Sequence, residues 1–209
     1  MADLSALTQA ITSGNRNDAT KHVSNALGTG AAPQAILDAM VAGMDEIGRR
    51  FQCGDAFVPE MLLASRAMKE GLALLEPSLV RAGIKPVLTA VIGTVEGDLH
   101  DIGKKLVVMM WKGANFGVVD LGTNVPPQAF VAAAKEHRAQ VVGLSALLTT
   151  TMPAMRNTVD AIRGSGLDGV KVLVGGAPVT QQFADEIGAD GFAADAAGAV
   201  QMVRKLVAV

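Results

Sequence analysis

Aromatic residues make up only 3% of this 209-residue chain although 50% of it is apolar. Large rings therefore cannot carry the core, which must be built from Ala, Val, Leu, Ile and Met in tight, small-residue packing. The single cysteine, Cys53, cannot form an internal disulfide, and this points to a reducing, cytoplasmic setting. A formal net charge of -2, with no Lys/Arg cluster, lacks the basic excess that binding a phosphate backbone requires. Nucleic acid is thereby excluded as the expected partner. Nowhere do about 18 consecutive apolar residues occur, and the N-terminal stretch has no basic start followed by a long apolar run. Neither secretion nor a membrane span is expected.

Up to Pro86 the apolar residues fall at helical spacing. Ile36, Leu37, Met40, Val41, Met44, Ile47 and Phe51 line one face, opposite Gln34, Asp38, Asp45, Glu46 and Arg49. Pro33 suits the first turn of that helix, where a backbone donor is not needed. A second helix follows Pro59, with Met61, Leu62, Ala64, Ser65, Met68, Leu72 and Leu75 inward, and is predicted to end before Pro77. Two shorter helices, about 3–13 and 17–27, are separated by Ser13-Gly14-Asn15. Residues 1–82 thus read as a four-helix bundle. The stretch 76–86, with two prolines and a glycine, reads as a linker.

From residue 86 to 209 the pattern changes to short apolar runs alternating with helical segments. Strands are predicted at 87–93, 116–122, 140–146, 170–176 and 190–194, and helices near 101–114, 127–137, 152–164, 179–188 and 196–208. Near-continuous apolar strands joined by crossover helices imply a parallel sheet covered on both faces. The fold class is α/β: the helical bundle followed by a doubly wound, flavodoxin-like domain with a five-stranded parallel sheet. In such a sheet ligands bind outside the carboxyl ends of the strands. The loops that matter are then 94–101, 122–126, 147–152, 175–180 and 193–197.

The first of these loops holds one of only three histidines, His100, among Glu96, Asp98 and Asp101. Three carboxylates would repel a phosphate. An imidazole beside a carboxylate suits metal coordination through one ring nitrogen while the carboxylate takes the proton on the other. A free zinc or iron ion needs three or four protein ligands, and neither Cys53 nor the other histidines lie in these loops. A metal here should arrive already chelated. His22, within a helix, and His137, at a helix end, read as solvated side chains. Cys53 reads as a small buried residue without a histidine partner.

The stretch Asp98-Leu99-His100-Asp101-Ile102-Gly103 resembles the Asp-x-His-x-x-Gly motif of cobalamin-binding domains. The resemblance implies that His100 is the lower axial ligand of cobalt, replacing the cofactor's own base, and that the displaced nucleotide tail descends into the domain. Gly97, Asp98, Leu99, His100, Asp101, Ile102 and Gly103 would then surround the ring. Residues 141–152 resemble the family's second cofactor segment, with Leu147 among the cofactor-binding residues, Ser145 and Thr149 along the tail and Thr151 hydrogen-bonded to Asp98. Gly175 and Gly176 resemble the third segment, where small residues would leave room for the tail, although a tight strand-to-helix turn accounts for them equally. Asp195 and Ala196 resemble the last, near the far end of the nucleotide. Residues 57–77 are similar to the helical cap of methionine synthase, which shields the upper face of the corrin. On spacing alone, the methionines of that bundle are ordinary core.

What the resemblance implies is a small corrinoid protein of a multicomponent methyltransferase system, not catalytic alone. Its cofactor would be cobalamin or a related corrinoid, cycling between methylcob(III)alamin and cob(I)alamin. Its partners would be a substrate:corrinoid methyltransferase, a corrinoid:acceptor methyltransferase delivering to tetrahydrofolate or coenzyme M, and a reductive activase. The methyl donor, a methylamine, methanol or a methoxylated aromatic as for an O-demethylase component, would be chosen by the partner. Two other classes compete. The cobalamin-binding part of a mutase would need a substrate barrel, which this chain lacks. A cobalamin-dependent transcriptional sensor would need a basic recognition helix, and none is visible.

Overall fold

The computed structural model describes residues 4–208. The chain divides into two compact units at Pro86 and Val87. The first unit contains four helices: α1 (Ser5–Thr12), α2 (Arg16–Gly28), α3 (Pro33–Gln52) and α4 (Val58–Arg81). Asn15 caps α2 by accepting the Asp18 N–H at 3.1 Å. Pro33 and Pro59 occupy first-turn positions of α3 and α4. Glu60 reaches back to the Phe57 N–H at 3.1 Å and satisfies a donor at the start of α4.

Small residues let these helices approach closely. Thr8 and Thr12 of α1 donate to the Ala39 and Gly43 carbonyls of α3 at 2.9 and 3.1 Å. A Cβ on Gly43 would lie 2.7 Å from Ile11 Cβ, so only glycine permits this crossing. Leu7, Ile11, Ile36, Leu37, Met40, Met44, Met61 and Leu75 are fully buried, giving the aliphatic core that the composition demands.

Two expectations fail in this unit. Helix α4 does not stop before Pro77 but runs through it to Arg81, so the predicted linker over 76–86 shrinks to the residues after Arg81. Pro77 and Ala73, whose carbonyl loses its helical donor, are both exposed, so water can replace that bond. Leu75 and Leu79, one turn apart, are buried and hold the last turns in place. Cys53 is exposed rather than buried, because it caps the C-terminus of α3 just before the left-handed Gly54.

The second unit alternates β1 (Thr89–Thr94), α5 (Ile102–Gly113), β2 (Gly117–Asp120), α6 (Pro127–Glu136), β3 (Val141–Ser145), α7 (Met152–Arg163), β4 (Lys171–Gly175), α8 (Gln181–Glu186), β5 (Gly191–Ala193) and α9 (Ala196–Val207). All pairings are parallel, in the order β2-β1-β3-β4-β5. Central strands β1 and β3 are buried almost throughout, as strands covered on both faces must be. Trp111, wholly buried on α5, packs over β3, where a Cβ on Gly143 would meet its ring at 2.7 Å. The strand order reverses beside β1. At that point the loops after β1, β2 and β3 leave the sheet together.

Candidate functional site

The loop after β1 is held by backbone bonds to both neighbours. Val95 N–H donates to the Ser145 carbonyl at the end of β3, and Thr94 N–H to the Gly122 carbonyl after β2, each at 3.0 Å. The Thr94 hydroxyl donates to the His100 carbonyl at 2.9 Å and closes the loop on itself. At its tip Gly97 takes a left-handed φ of 82°, where a side chain would be strained.

This turn drives Asp98 inward, to 0% exposure. Its Oδ1 accepts the His100 N–H at 3.0 Å and faces His100 Nδ1 at 2.8 Å. Its Oδ2 accepts the Leu147 N–H at 2.7 Å, the Leu148 N–H at 3.3 Å and the Thr151 hydroxyl at 2.8 Å. Burial by itself would push this carboxyl up. The His100 and Leu147 backbone donors, joined by the imidazole and the Thr151 hydroxyl, outweigh it and hold Asp98 well below the usual carboxylate range. An ionised carboxylate only accepts, so Nδ1 of His100 carries a proton, and in the neutral imidazole Nε2 keeps its lone pair. The His100 side chain is half exposed, with that lone pair free to bind an electrophile.

Several exposed side chains of the two loops are apolar. Leu99 and Ile102 are 72% and 83% exposed, and Leu147 and Leu148, whose amides hold Asp98, are exposed as well. Four large aliphatic side chains beside one basic nitrogen form a platform for a flat apolar ligand with an electrophilic centre. Among the described residues no group of three or more His, Cys, Asp or Glu side chains could hold a bare metal ion.

Comparison with known proteins gives the family. Residues 88–203 match the model of a B12 binding domain, and residues 4–76 match a second B12 binding domain model. A dimethylamine corrinoid protein of Methanosarcina barkeri is 40% identical over 207 residues, covering 98% of this chain and 97% of its own. The chain belongs to the B12-binding domain family. Among solved structures, a cobalamin-binding protein from Desulfitobacterium hafniense DCB-2 superposes with a TM-score of 0.84 at 34% identity, over 98% of both chains. The methanol:cobalamin methyltransferase complex MtaBC from Methanosarcina barkeri gives 0.86 at 29% identity, over 98% of this chain and 80% of that one.

The cofactor of this B12-binding chain is therefore cobalamin or a related corrinoid, and the donor set fits it. A corrin brings its own nitrogen ligands to cobalt and asks the protein for one axial donor and an apolar bed. One imidazole with a free Nε2, set among exposed leucines and isoleucine, has that chemistry.

The other residues expected at the site divide into two groups. Gly97, Asp98, Leu99, His100, Ile102, Gly103, Ser145, Leu147, Thr149 and Thr151 lie in or beside the two loops that Asp98 joins, with Thr149 exposed and Ser145 half-buried. Asp101 has a cation partner of its own. It pairs with Lys105 at 2.6 Å, and that ammonium holds it below its ordinary range. Asp195 caps α9 by accepting the Gly198 N–H at 2.7 Å, while the Ala196 side chain is buried. Gly176, with φ 129°, would place a Cβ 1.8 Å from the Ala146 carbonyl oxygen, and a Cβ on Gly175 would lie 2.9 Å from that of Ala193. Both glycines are demanded by backbone packing. A bulky side chain at Gly176 would damage the sheet whether or not a nucleotide tail passes there.

Sequence reasoning missed three participants. Thr94 ties the loop to the His100 carbonyl, and Asn124 accepts the Gly97 N–H through Oδ1 at 2.8 Å. Lys104, 2% exposed, pairs with Asp120 at the end of β2. A lysine inside the apolar spacing of a helix was the available signal for the last. The other two partnerships join separate loops and leave no local pattern.

Proposed function

We propose that this chain is the methyl-carrying corrinoid subunit of a multicomponent methyltransferase, with His100 as the lower axial ligand. The observation that carries the reading is the pairing of Nδ1 with a buried, ionised Asp98, which leaves Nε2 as a lone-pair donor on an exposed apolar surface. The corrinoid supplies a cobalt centre able to accept a methyl group and give it up again.

The chain's own residues set the strength of the axial donor. Asp98 orients the ring and makes Nε2 more basic, and the Leu147 and Leu148 amides with the Thr151 hydroxyl decide how much negative charge Asp98 keeps. Leu99, Ile102 and Leu147 would bed the ring, Gly97 and Gly103 would allow its close approach, and Ser145, Thr149, Gly175 and Gly176 would border the nucleotide tail. The helical unit would act as the cap, since residues 4–76 match a B12 binding domain model of their own. A methyltransferase partner on the donor side is supported by the relative named for dimethylamine and by the neighbour solved within a methanol:cobalamin methyltransferase complex, and the reading adds a second methyltransferase on the acceptor side. A reductive activase and a cytoplasmic setting complete the reading.

The test is to load the purified protein with methylcobalamin and record its absorption spectrum. Wild type is expected to show an imidazole-ligated cofactor, and His100→Ala a cofactor without its lower base. An identical spectrum in the two proteins would remove His100 from the role. Methyl transfer to the loaded protein, assayed with methyltransferases for dimethylamine, trimethylamine and methanol, identifies the donor side.

A further inference from the structure

We propose that Asn124, in the loop between β2 and α6, is a positioning residue that sets the aim of His100 before any cofactor arrives. The inference rests on the lower-ligand reading above. Asn124 brackets the tip of the loop after β1 from both sides. Its Oδ1 accepts the Gly97 N–H at 2.8 Å, and its own N–H donates to the Asp98 carbonyl at 2.9 Å. Its backbone is left-handed, with φ 53°, a conformation that asparagine tolerates better than most residues.

The loop that carries Asn124 is itself anchored on both sides. At its root, buried Lys104 pairs with Asp120 Oδ1, the same oxygen that accepts the Gly122 N–H at 3.0 Å. The Gly122 carbonyl and the Val125 N–H then bond the N–H and carbonyl of Thr94, each at 3.0 Å. Asn124 cannot leave Gly97 without straining those bonds. Gly97 needs such a partner, because an exposed glycine has more backbone freedom than any other residue and Asp98 follows it directly. With the Gly97 N–H and the Asp98 carbonyl both held, the Asp98 carboxylate enters the interior in one orientation, and that orientation selects the Nδ1–H form of His100.

Two variants separate the side chain from the backbone. Asn124→Gly keeps the left-handed turn and removes the acceptor, whereas Asn124→Asp keeps both. In the cofactor-free protein the expected result for Asn124→Gly is amide exchange at Gly97 at least tenfold faster, with nitrogen NMR showing a smaller share of the Nδ1–H form of His100. Asn124→Asp should restore both. After loading with methylcobalamin, Asn124→Gly should bind within about threefold of wild type, read from quenching of Trp111. Unchanged Gly97 exchange and an unchanged His100 form in Asn124→Gly would overturn the proposal. If wild type failed to bind methylcobalamin, the functional reading would fall, while the exchange and nitrogen measurements would still decide whether Asn124 sets the loop.

Discussion

A fully buried carboxylate that remains ionised must be held by donors, and Asp98 is held by three backbone N–H groups, one hydroxyl and one imidazole. Asp98→Asn would leave one oxygen to accept and, whichever way the amide turns, set its NH2 against a backbone N–H of His100 or of Leu147 and Leu148, which can only donate. We expect it to destabilise the protein by about 2 kcal/mol at neutral pH, measured by urea unfolding. The pH dependence has a definite sign. The folded-state value of Asp98 lies below its unfolded value of about 3.9, so its contribution is present above that pH and is lost as pH falls toward the folded value. The acid limb of the stability curve should therefore be shallower in Asp98→Asn than in wild type. Part of this residue's role was legible in the spacing Asp98-x-His100. The Leu147 and Leu148 amides were not, because a backbone donor has no sequence signature.

The secondary-structure elements are set by local pattern and corrected by packing. In α4, Pro77 breaks a backbone bond on the exposed side while Leu75 and Leu79 anchor the buried side, and burial wins over the local preference. Pro77→Ala should restore that bond and stabilise the helical unit by about 1–2 kcal/mol, the gain being trimmed by a looser unfolded chain. Gly43 is the opposite case. Alanine there favours the helix by ~1 kcal/mol but forces α1 away from α3 against Ile11 and the Thr8 carbonyl. A net loss of about 1–2 kcal/mol is expected, visible as a lower denaturation midpoint. The strands of the α/β unit were legible because short apolar runs separated by amphipathic segments are a local signal. Their order was inferred only through the general rule for crossover connections.

At the scale of the whole molecule, a ligand that binds only the folded state stabilises it by mass action. Cobalamin at a hundred times its dissociation constant should add about 2.7 kcal/mol. For a chain of this size that is a rise of roughly 5–10 °C in melting temperature. His100→Ala should show a smaller rise under the same conditions, and scanning calorimetry with and without cobalamin measures both. The only tryptophan in the chain, Trp111, lies wholly buried within the α/β unit, so its fluorescence reports ligand binding there. No helix among the described residues is long and apolar enough to cross a membrane.

The sequence by itself determined the alternation of strands and helices, the helical character of the first 80-odd residues, and the presence of one histidine beside a carboxylate at a strand end. These are properties of neighbours along the chain, where periodicity and spacing act directly. Only the tertiary structure decided that Asp98 is clasped by the loop after β3, that Asn124 and Lys104 brace the loop from the β2 side, and that Gly176 is fixed by contact with Ala146. Each of those depends on groups remote in sequence that the parallel sheet brings within hydrogen-bond or van der Waals distance.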